Sequence, residues 1–348
     1  MVREAAPICG DQFMLQAVAQ LTKEPAGNVR PQIESASITS HAPGDTLCCR
    51  IWLPKRRPMN SSISFKPPFI SPRPNDKRKI VEHYDFVSPY YHSLWGEHLH
   101  HGYWIRGDES KETAQIQLTE HLAELANLSL GAELLDIGCG FGASSLFLAR
   151  KYKVCATGIT ISPVQVEMAQ KAGAAAQVDA QFLLMDAEAL TFAHQFDVLW
   201  SVESISHYQN RRKFFLNAAH FLKPGGTFAL TDWFKRAGLS SSQTRKFIRP
   251  IEEGMFVELE SMDDYESYLV DSGLQIAERQ DLSQQCARSW DLGLDIIRNR
   301  SFWSLAAKQG SHFVAYLEAF RAIRDGYRSG NFVYGLFVAK KPMTLAKP

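Results

Sequence analysis

Glu203 and His207 stand four residues apart, just beyond the apolar run Asp197–Ser201, in the segment Trp200-Ser201-Val202-Glu203-Ser204-Ile205-Ser206-His207. A positioned carboxylate or imidazole can take a proton from an attacking nucleophile near neutral pH. In a helix this spacing puts both side chains on one face, with Glu203 acting as base or orienting His207 as base. A plainer role for Glu203 is to cap the helix that follows, where the helix dipole favours negative charge. A second chemistry-bearing run, Leu134-Leu135-Asp136-Ile137-Gly138-Cys139-Gly140-Phe141-Gly142, lies upstream and reads as a strand entering three alternate glycines and then a helix. Glycine lets the main chain pass close to a ligand, and the helix start offers free N–H groups. G-x-G-x-G is neither the G-x-G-x-x-G of pyrophosphate-holding loops nor a Walker loop with its Gly-Lys-Ser/Thr. Asp136, preceding the glycines on the strand, argues against a turn whose glycines serve packing alone.

Two further polar groups follow apolar runs in the same way: Thr160 and Gln165 in Gly158-Ile159-Thr160-Ile161-Ser162-Pro163-Val164-Gln165, and Asp186-Ala187. All these sets fall at the carboxyl ends of strands, the edge where doubly wound sheets bind ligands. Histidines 92, 98, 100 and 101 invite a metal-site reading. Such closely spaced ligands on one loop do not converge easily without a carboxylate partner, so a lid that touches a ligand is the better reading and no metal is expected. Tyr90, Tyr91, Trp95, Tyr103, Trp104 and Trp233 are core by type, although several fall on loops at the active edge.

The elements that must position these groups can be read from periodicity. Helices are expected over Lys77–Tyr91 after an Asn75-Asp76 cap, and near 110–127, where Ile116, Leu118, Leu122 and Leu125 recur at helical spacing. From Glu133 short β runs alternate with helices: strands at Leu134–Ile137, Val154–Ile159, Gln181–Met185, Asp197–Ser201 and Thr227–Asp232, with helices near 143–152, 163–175 and 209–222. Lys223-Pro224-Gly225-Gly226 reads as a turn into the fifth strand. Residues 236–262 read as an insertion, followed by a helix at Asp263–Asp271, a strand at Leu274–Glu278, a helical aromatic-rich stretch over 283–327 and a closing strand, Asn331–Lys340. The expected fold is α/β: a Rossmann-like, doubly wound, mostly parallel sheet with an antiparallel last strand and helical lids.

The 348 residues divide into an extension over 1–75, a helical lid over 76–130, a ligand-binding core over 131–235, and lid insertions with the final strands over 236–348. The extension holds ten of the sixteen prolines and basic clusters such as Lys55-Arg56-Arg57, a composition expected to be weakly ordered. Glu4, Asp11, Glu24 and Glu34 speak against a transit peptide, although organelle targeting stays open. A net charge of +1 supplies no field for polyanions, so nucleic acid is not expected as a partner. Six cysteines without zinc or disulfide spacing point to a reducing, cytoplasmic interior. No run of eighteen apolar residues is present, so stable membrane insertion is not expected. Oligomeric state is open.

The quoted motifs carry a resemblance. Gly-Ile-Thr-Ile-Ser-Pro-Val-Gln, Trp-Ser-Val-Glu-Ser-Ile-Ser-His, Trp95-Gly96-Glu97-His98-Leu99-His100-His101-Gly102-Tyr103 and Gly326-Tyr327…Gly330 resemble the gamma-tocopherol methyltransferase group of class I S-adenosylmethionine-dependent methyltransferases, over residues 78–342. His83-Tyr84-Asp85 is similar to cyclopropane fatty acid synthases, and Trp-x-x-Glu-Ser to terpenyl diphosphate C-methyltransferases. The resemblance implies S-adenosylmethionine as cofactor and a small hydrophobic acceptor of phenolic, alkaloid or isoprenoid type, methylated at oxygen or nitrogen. C-methylation or cyclopropanation of an isoprenoid or lipid chain, and a non-catalytic S-adenosylmethionine-binding protein, are the alternatives. It places Asp136, Gly138, Cys139 and Gly140 on the methionine and ribose part of the cofactor and Asp186 with Ala187 at the adenine, whose amino group needs an acceptor. The acid that usually holds the ribose is missing; either Thr160 and Gln165 share that work or the nucleoside is held differently. Tyr84 and His101 would close over the cofactor from the lid, leaving Glu203 and His207 as the catalytic pair.

Overall fold

The computed structural model describes residues 75–295 and 311–343. The weakly ordered extension expected before residue 75 therefore lies outside the described residues, as does part of the helical stretch expected over 283–327.

Seven strands form one sheet in the order β3-β2-β1-β4-β5-β7-β6. They are β1 Glu133–Ile137, β2 Cys155–Thr160, β3 Ala180–Leu184, β4 Phe196–Val202, β5 Leu222–Lys235, β6 Gln275–Asp281 and β7 Phe332–Lys340. The first five pair in parallel, whereas β7 runs antiparallel to both β5 and β6. The expected fold class is the one observed. Leu134, Leu135, Asp136 and Ile137 are all buried because β1 lies at the centre with both faces covered. Alternate residues feed opposite layers: Leu135, Ile137, Leu199 and Leu230 pack with Phe214, Phe215 and Phe228 on one face, and Leu134, Val198 and Trp200 with Leu118, Leu122 and Leu148 on the other.

Local chemistry sets the helix starts. Asp76 accepts from the Arg78 N–H to begin α1 (Lys77–Leu94), and Ser110 accepts from Thr113 to begin α2 (Lys111–Ala126). Gly142 precedes α3 (Ala143–Tyr152), and Ser162 with Pro163 at the first position opens α4 (Pro163–Ala176). Asn210 caps α5 (Arg211–His220).

Several expectations are corrected in detail. In α2 the buried face is Ala114, Gln115, Leu118, Thr119, Leu122, Ala123 and Ala126, while Ile116 and Leu125 are half-buried. Strand β5 begins at Leu222, paired with Phe196, and reaches Val198↔Thr227 through a register shift, so Lys223–Gly226 belongs to the strand as an irregularity. The insertion after β5 is largely helical: a capping box at Ser240 and Gln243 opens a helical run into α6 (Arg249–Met255). A capping box at Ser261 and Asp264 then starts α7 (Met262–Asp271). The described residues of the aromatic-rich stretch are helical as expected, in a single turn at Ser283–Cys286, α8 (Arg288–Asp295) and α9 (Ser311–Ser329). No helix among the described residues is long and apolar enough to cross a membrane.

Candidate functional site

The chain order reverses between β1 and β4, and at such a switch the crossover connections leave to opposite sides and open a crevice at the strands' carboxyl ends. A cavity of about 1660 Å³, its open mouth included, occupies this place, and all twelve sequence-expected site residues line it. Helices α1, α6, α8 and α9 cover it with Tyr84, Met255, Trp290 and Phe320.

Two of the three glycines, Gly138 and Gly140, line the cavity. A Cβ on Gly138 would fall 2.4 Å from the Ser204 side chain, and one on Gly142 2.7 Å from Phe182, so these two permit close packing. Gly140, at φ +55, has only Leu99 Cδ1 near its absent Cβ, at 3.2 Å. Its main chain therefore presents an open cradle to the cavity. Asp136 behind it is buried and accepts from Ser145 Oγ at 2.6 Å. Burial raises this carboxyl to about 7, against that one bond. A buried acid so sparsely served, beside a glycine cradle and a helix start, suits a ligand carrying hydroxyls or an ammonium group.

Thr160 and Gln165 are joined to each other, Thr160 Oγ1 donating to Gln165 Oε1 at 2.7 Å, and Gln165 Nε2 donates to Ser88 of α1 at 3.2 Å. Asp186 accepts from the Glu188 N–H at 2.9 Å and from Lys77 Nζ at 2.6 Å. Lys77 also reaches Glu188 at 2.8 Å, so α1 is pinned by charge over this end of the cavity. Ala187 is buried at the same wall.

The expected Glu203–His207 pair does not form. After β4 the chain turns sharply at Glu203, φ +52, and only a short turn, Ile205–His207, follows, so the two side chains do not share a helix face. His207 Nδ1 lies 3.0 Å from the Phe256 carbonyl, which can only accept, so that nitrogen carries the proton. Nε2 then accepts from the Tyr84 hydroxyl at 2.9 Å. Burial and the Arg211 charge hold His207 at about 4, the carbonyl bond notwithstanding. Tyr84, expected to close over the cofactor, lines the cavity and is tied to this imidazole, and burial pushes its phenol well up.

Glu203 does not act as a helix cap. Oε1 accepts from the His101 main-chain N–H at 2.6 Å, His101 Nδ1–H at 3.0 Å and the Tyr334 hydroxyl at 2.7 Å, and Oε2 from Trp233 Nε1 at 2.8 Å. Burial alone would raise the carboxyl, but the hydrogen bonds it accepts, those from His101 foremost, act against that and favour the ionised form. It is a fixed anion. On the far side of the ring, Trp290 Nε1–H donates to His101 Nε2 at 2.6 Å. An indole N–H cannot accept, so His101 is neutral with its proton on Nδ1.

His98 Nδ1 and His100 Nε2 lie 3.0 Å apart and His100 Nδ1 donates to the His101 carbonyl at 2.8 Å, while Gln115 donates to the carbonyls of His98 and His100. These imidazoles brace the loop that presents His101. Tyr91, Trp95 and Trp233 line the cavity, whereas Trp104 is buried on the Glu109 carbonyl and Tyr103 stacks on His121. Trp290, Tyr334 and Lys77 are site residues that sequence reasoning missed. Tyr334 falls inside the expected closing strand, where nothing marks it as polar in role, and Trp290 meets His101 across 189 residues, a distance at which spacing carries no signal.

Comparison with known proteins follows the same lines. The family described as mycolic acid cyclopropane synthetase matches residues 72–329. The 27-O-demethylrifamycin SV methyltransferase of Amycolatopsis mediterranei is 34% identical over 277 residues, covering 78% of this chain and 98% of that protein. The chloroplastic tocopherol O-methyltransferase of Arabidopsis thaliana is 28% identical over 294 residues, covering 77% and 83%. Among solved structures, the mycolic acid cyclopropane synthase CmaA1, complexed with SAH and CTAB, superposes with a TM-score of 0.69 at 22% identity, covering 76% of this chain and 99% of that one.

Proposed function

Given that the chain belongs to the mycolic acid cyclopropane synthetase family of S-adenosylmethionine-dependent methyltransferases, we propose that it methylates a hydroxyl group, phenolic or enolic, on a hydrophobic small molecule. The observation that carries this reading is the pair of neutral imidazoles, His101 and His207, each with its proton held on Nδ1 and Nε2 as acceptor, inside a largely apolar cavity. A hydroxyl acceptor must lose its proton as it attacks, and such a nitrogen can receive it. Lys77 is the one lysine or arginine among the described lining residues and is already paired with Asp186 and Glu188. A diphosphate head group would find no spare counter-charge there, which favours a neutral acceptor over a terpenyl diphosphate.

When bound, the cofactor supplies an electrophilic methyl group on a sulfonium. Gly140 and Cys139 would carry its main-chain contacts, Asp136 its methionine or ribose polar groups, Thr160 and Gln165 the ribose, and Asp186 with Ala187 the adenine. The aromatic walls exclude water and offer ring faces to a cation. The same walls would serve a carbocation formed on an alkene, so C-methylation is the second reading. A cytoplasmic location and the absence of a nucleic-acid partner complete it, from the balanced charge and scattered cysteines.

The test is incubation with methyl-labelled S-adenosylmethionine and a panel of hydrophobic phenols, enols, amines and isoprenoids. Label in an alkali-stable methyl ether supports the reading; label only on carbon or nitrogen replaces it.

A further inference from the structure

We propose that His101 is the catalytic proton acceptor, that Glu203 is its positioning residue, and that the Trp290 indole guards the accepting nitrogen until the substrate hydroxyl takes its place. This rests on the hydroxyl-methylation reading and names the base that reading requires.

The two imidazoles of the cavity differ in what stands behind them. His207 is backed by the neutral Phe256 carbonyl and lies near the Arg211 charge, so a proton arriving there makes an uncompensated buried cation. His101 is backed by a carboxylate whose four donors fix it in place, so an arriving proton completes an imidazolium–carboxylate pair. An oriented carboxylate of this kind stabilises the imidazolium that forms and holds the ring in one tautomer. The charged and titratable groups around the ring and its carboxylate are Glu203 after β4, Tyr334 on β7, Tyr327 on α9, Cys286 before α8 and His100 on its own loop. Among these, Glu203 is the one in direct contact with Nδ1.

Nε2 is occupied by the Trp290 N–H, and Trp290 itself lines the cavity, packed on Phe320 at 4.7 Å and Trp233 at 5.8 Å. A substrate hydroxyl offers Nε2 the same kind of bond, so it replaces the indole like for like. In the step that follows, the acceptor O–H bond breaks and its proton passes to Nε2. The oxygen electron pair forms the O–CH₃ bond, and the methyl–sulfur pair departs with sulfur. The imidazolium then returns its proton to water.

Three variants and one spectrum test this. His101→Gln should lower kcat by about 10²–10⁴-fold and delete one ionisation limb from kcat against pH, with S-adenosylhomocysteine affinity unchanged. Glu203→Gln should cost less in kcat and move that limb to lower pH. Trp290→Phe keeps a ring on Phe320 but loses the N–H donor; it should lower KM and move the limb to higher pH. A limb that survives in His101→Gln, or a Trp290→Phe profile superimposable on wild type, overturns the proposal. Imidazole ¹⁵N NMR of the cofactor-free protein supplies an arm independent of turnover. His101 should show a neutral Nδ1–H ring whose Nε2 signal shifts in Trp290→Phe, and an Nε2–H ring would overturn the assignment even if no acceptor is methylated. If the NMR arm holds while carbon alone is labelled, the failure belongs to the hydroxyl-methylation reading.

Discussion

Glu203 holds His101 twice, by the main-chain N–H at 2.6 Å and by the ring Nδ1–H at 3.0 Å, across 102 residues of sequence. A single carboxylate thereby fixes both the path of the lid loop and the tautomer of its imidazole. The two effects separate by mutation. Glu203→Ala strands four donors and should destabilise the protein by on the order of 3 kcal/mol, whereas Glu203→Gln keeps most acceptor contacts and should cost less. Because the bonds it accepts hold this carboxyl below its ordinary value of 4.5, its contribution is complete above pH 4.5 and is lost as pH falls below that. Urea unfolding between pH 3 and 7 should show a shallower acid decline in Glu203→Gln than in wild type.

Asp136 titrates with the opposite sign. Its carboxyl is raised from 3.8 to about 7, so the folded protein holds the proton more tightly and cofactor-free stability falls as pH rises from about 4 through 7. Asp136→Asn removes that decline. Its Tm at pH 8 should exceed wild type while S-adenosylhomocysteine binds more weakly, and an unchanged affinity would remove Asp136 from the cofactor wall.

The glycines should divide by phenotype. Gly138→Ala drives a Cβ into Ser204 and should lower Tm by several degrees. Gly140→Val meets only Leu99 but fills the cradle, so it should abolish S-adenosylhomocysteine binding in calorimetry with a smaller loss of Tm, part of it from the φ of +55.

Lys77→Ala opens the contact of α1 with Asp186 and Glu188. The lysine is 35% exposed, so the stability change should stay within about 1 kcal/mol. Cofactor release, followed by stopped flow, should quicken several-fold, and added salt should produce the same change in wild type.

A chain beginning at Pro72 should retain turnover. The described residues are tied down at their start by Asn75, whose Nδ2 donates to the Tyr208 carbonyl at 3.1 Å and whose own carbonyl accepts from Gln209. Loss of activity with an unchanged far-ultraviolet spectrum would assign the first 71 residues a part in the site.

The strands were legible because each parallel strand is a short apolar run followed by a polar residue at the binding edge, and Asp136, Thr160, Asp186 and Glu203 each mark such an end. That periodicity locates residues along the chain but not across it. The Glu203–His207 spacing suggested a shared helix face, and a positive φ at Glu203 sent the two side chains to different partners. Likewise the lid histidines were visible as a cluster, while the indole that fixes the tautomer of His101 comes from a helix whose placement depends on the whole sheet. Pairings of this kind are set by tertiary packing, which local propensity does not encode.

Strand β7 lies between β5 and β6 and carries Tyr334, which closes the donor set around Glu203. During synthesis, β6 therefore leaves the ribosome with no neighbour to pair with, and waits for β7 through the whole of the intervening segment. Its outward row, Gln275, Ala277, Arg279 and Asp281, is exposed, and Arg279 engages Asp263 and Glu266 of α7. Charges of that sort discourage a waiting edge from pairing with another nascent chain. The loop that carries His101 stays incompletely tethered until β7 emerges, so the anion that anchors it is completed late in assembly.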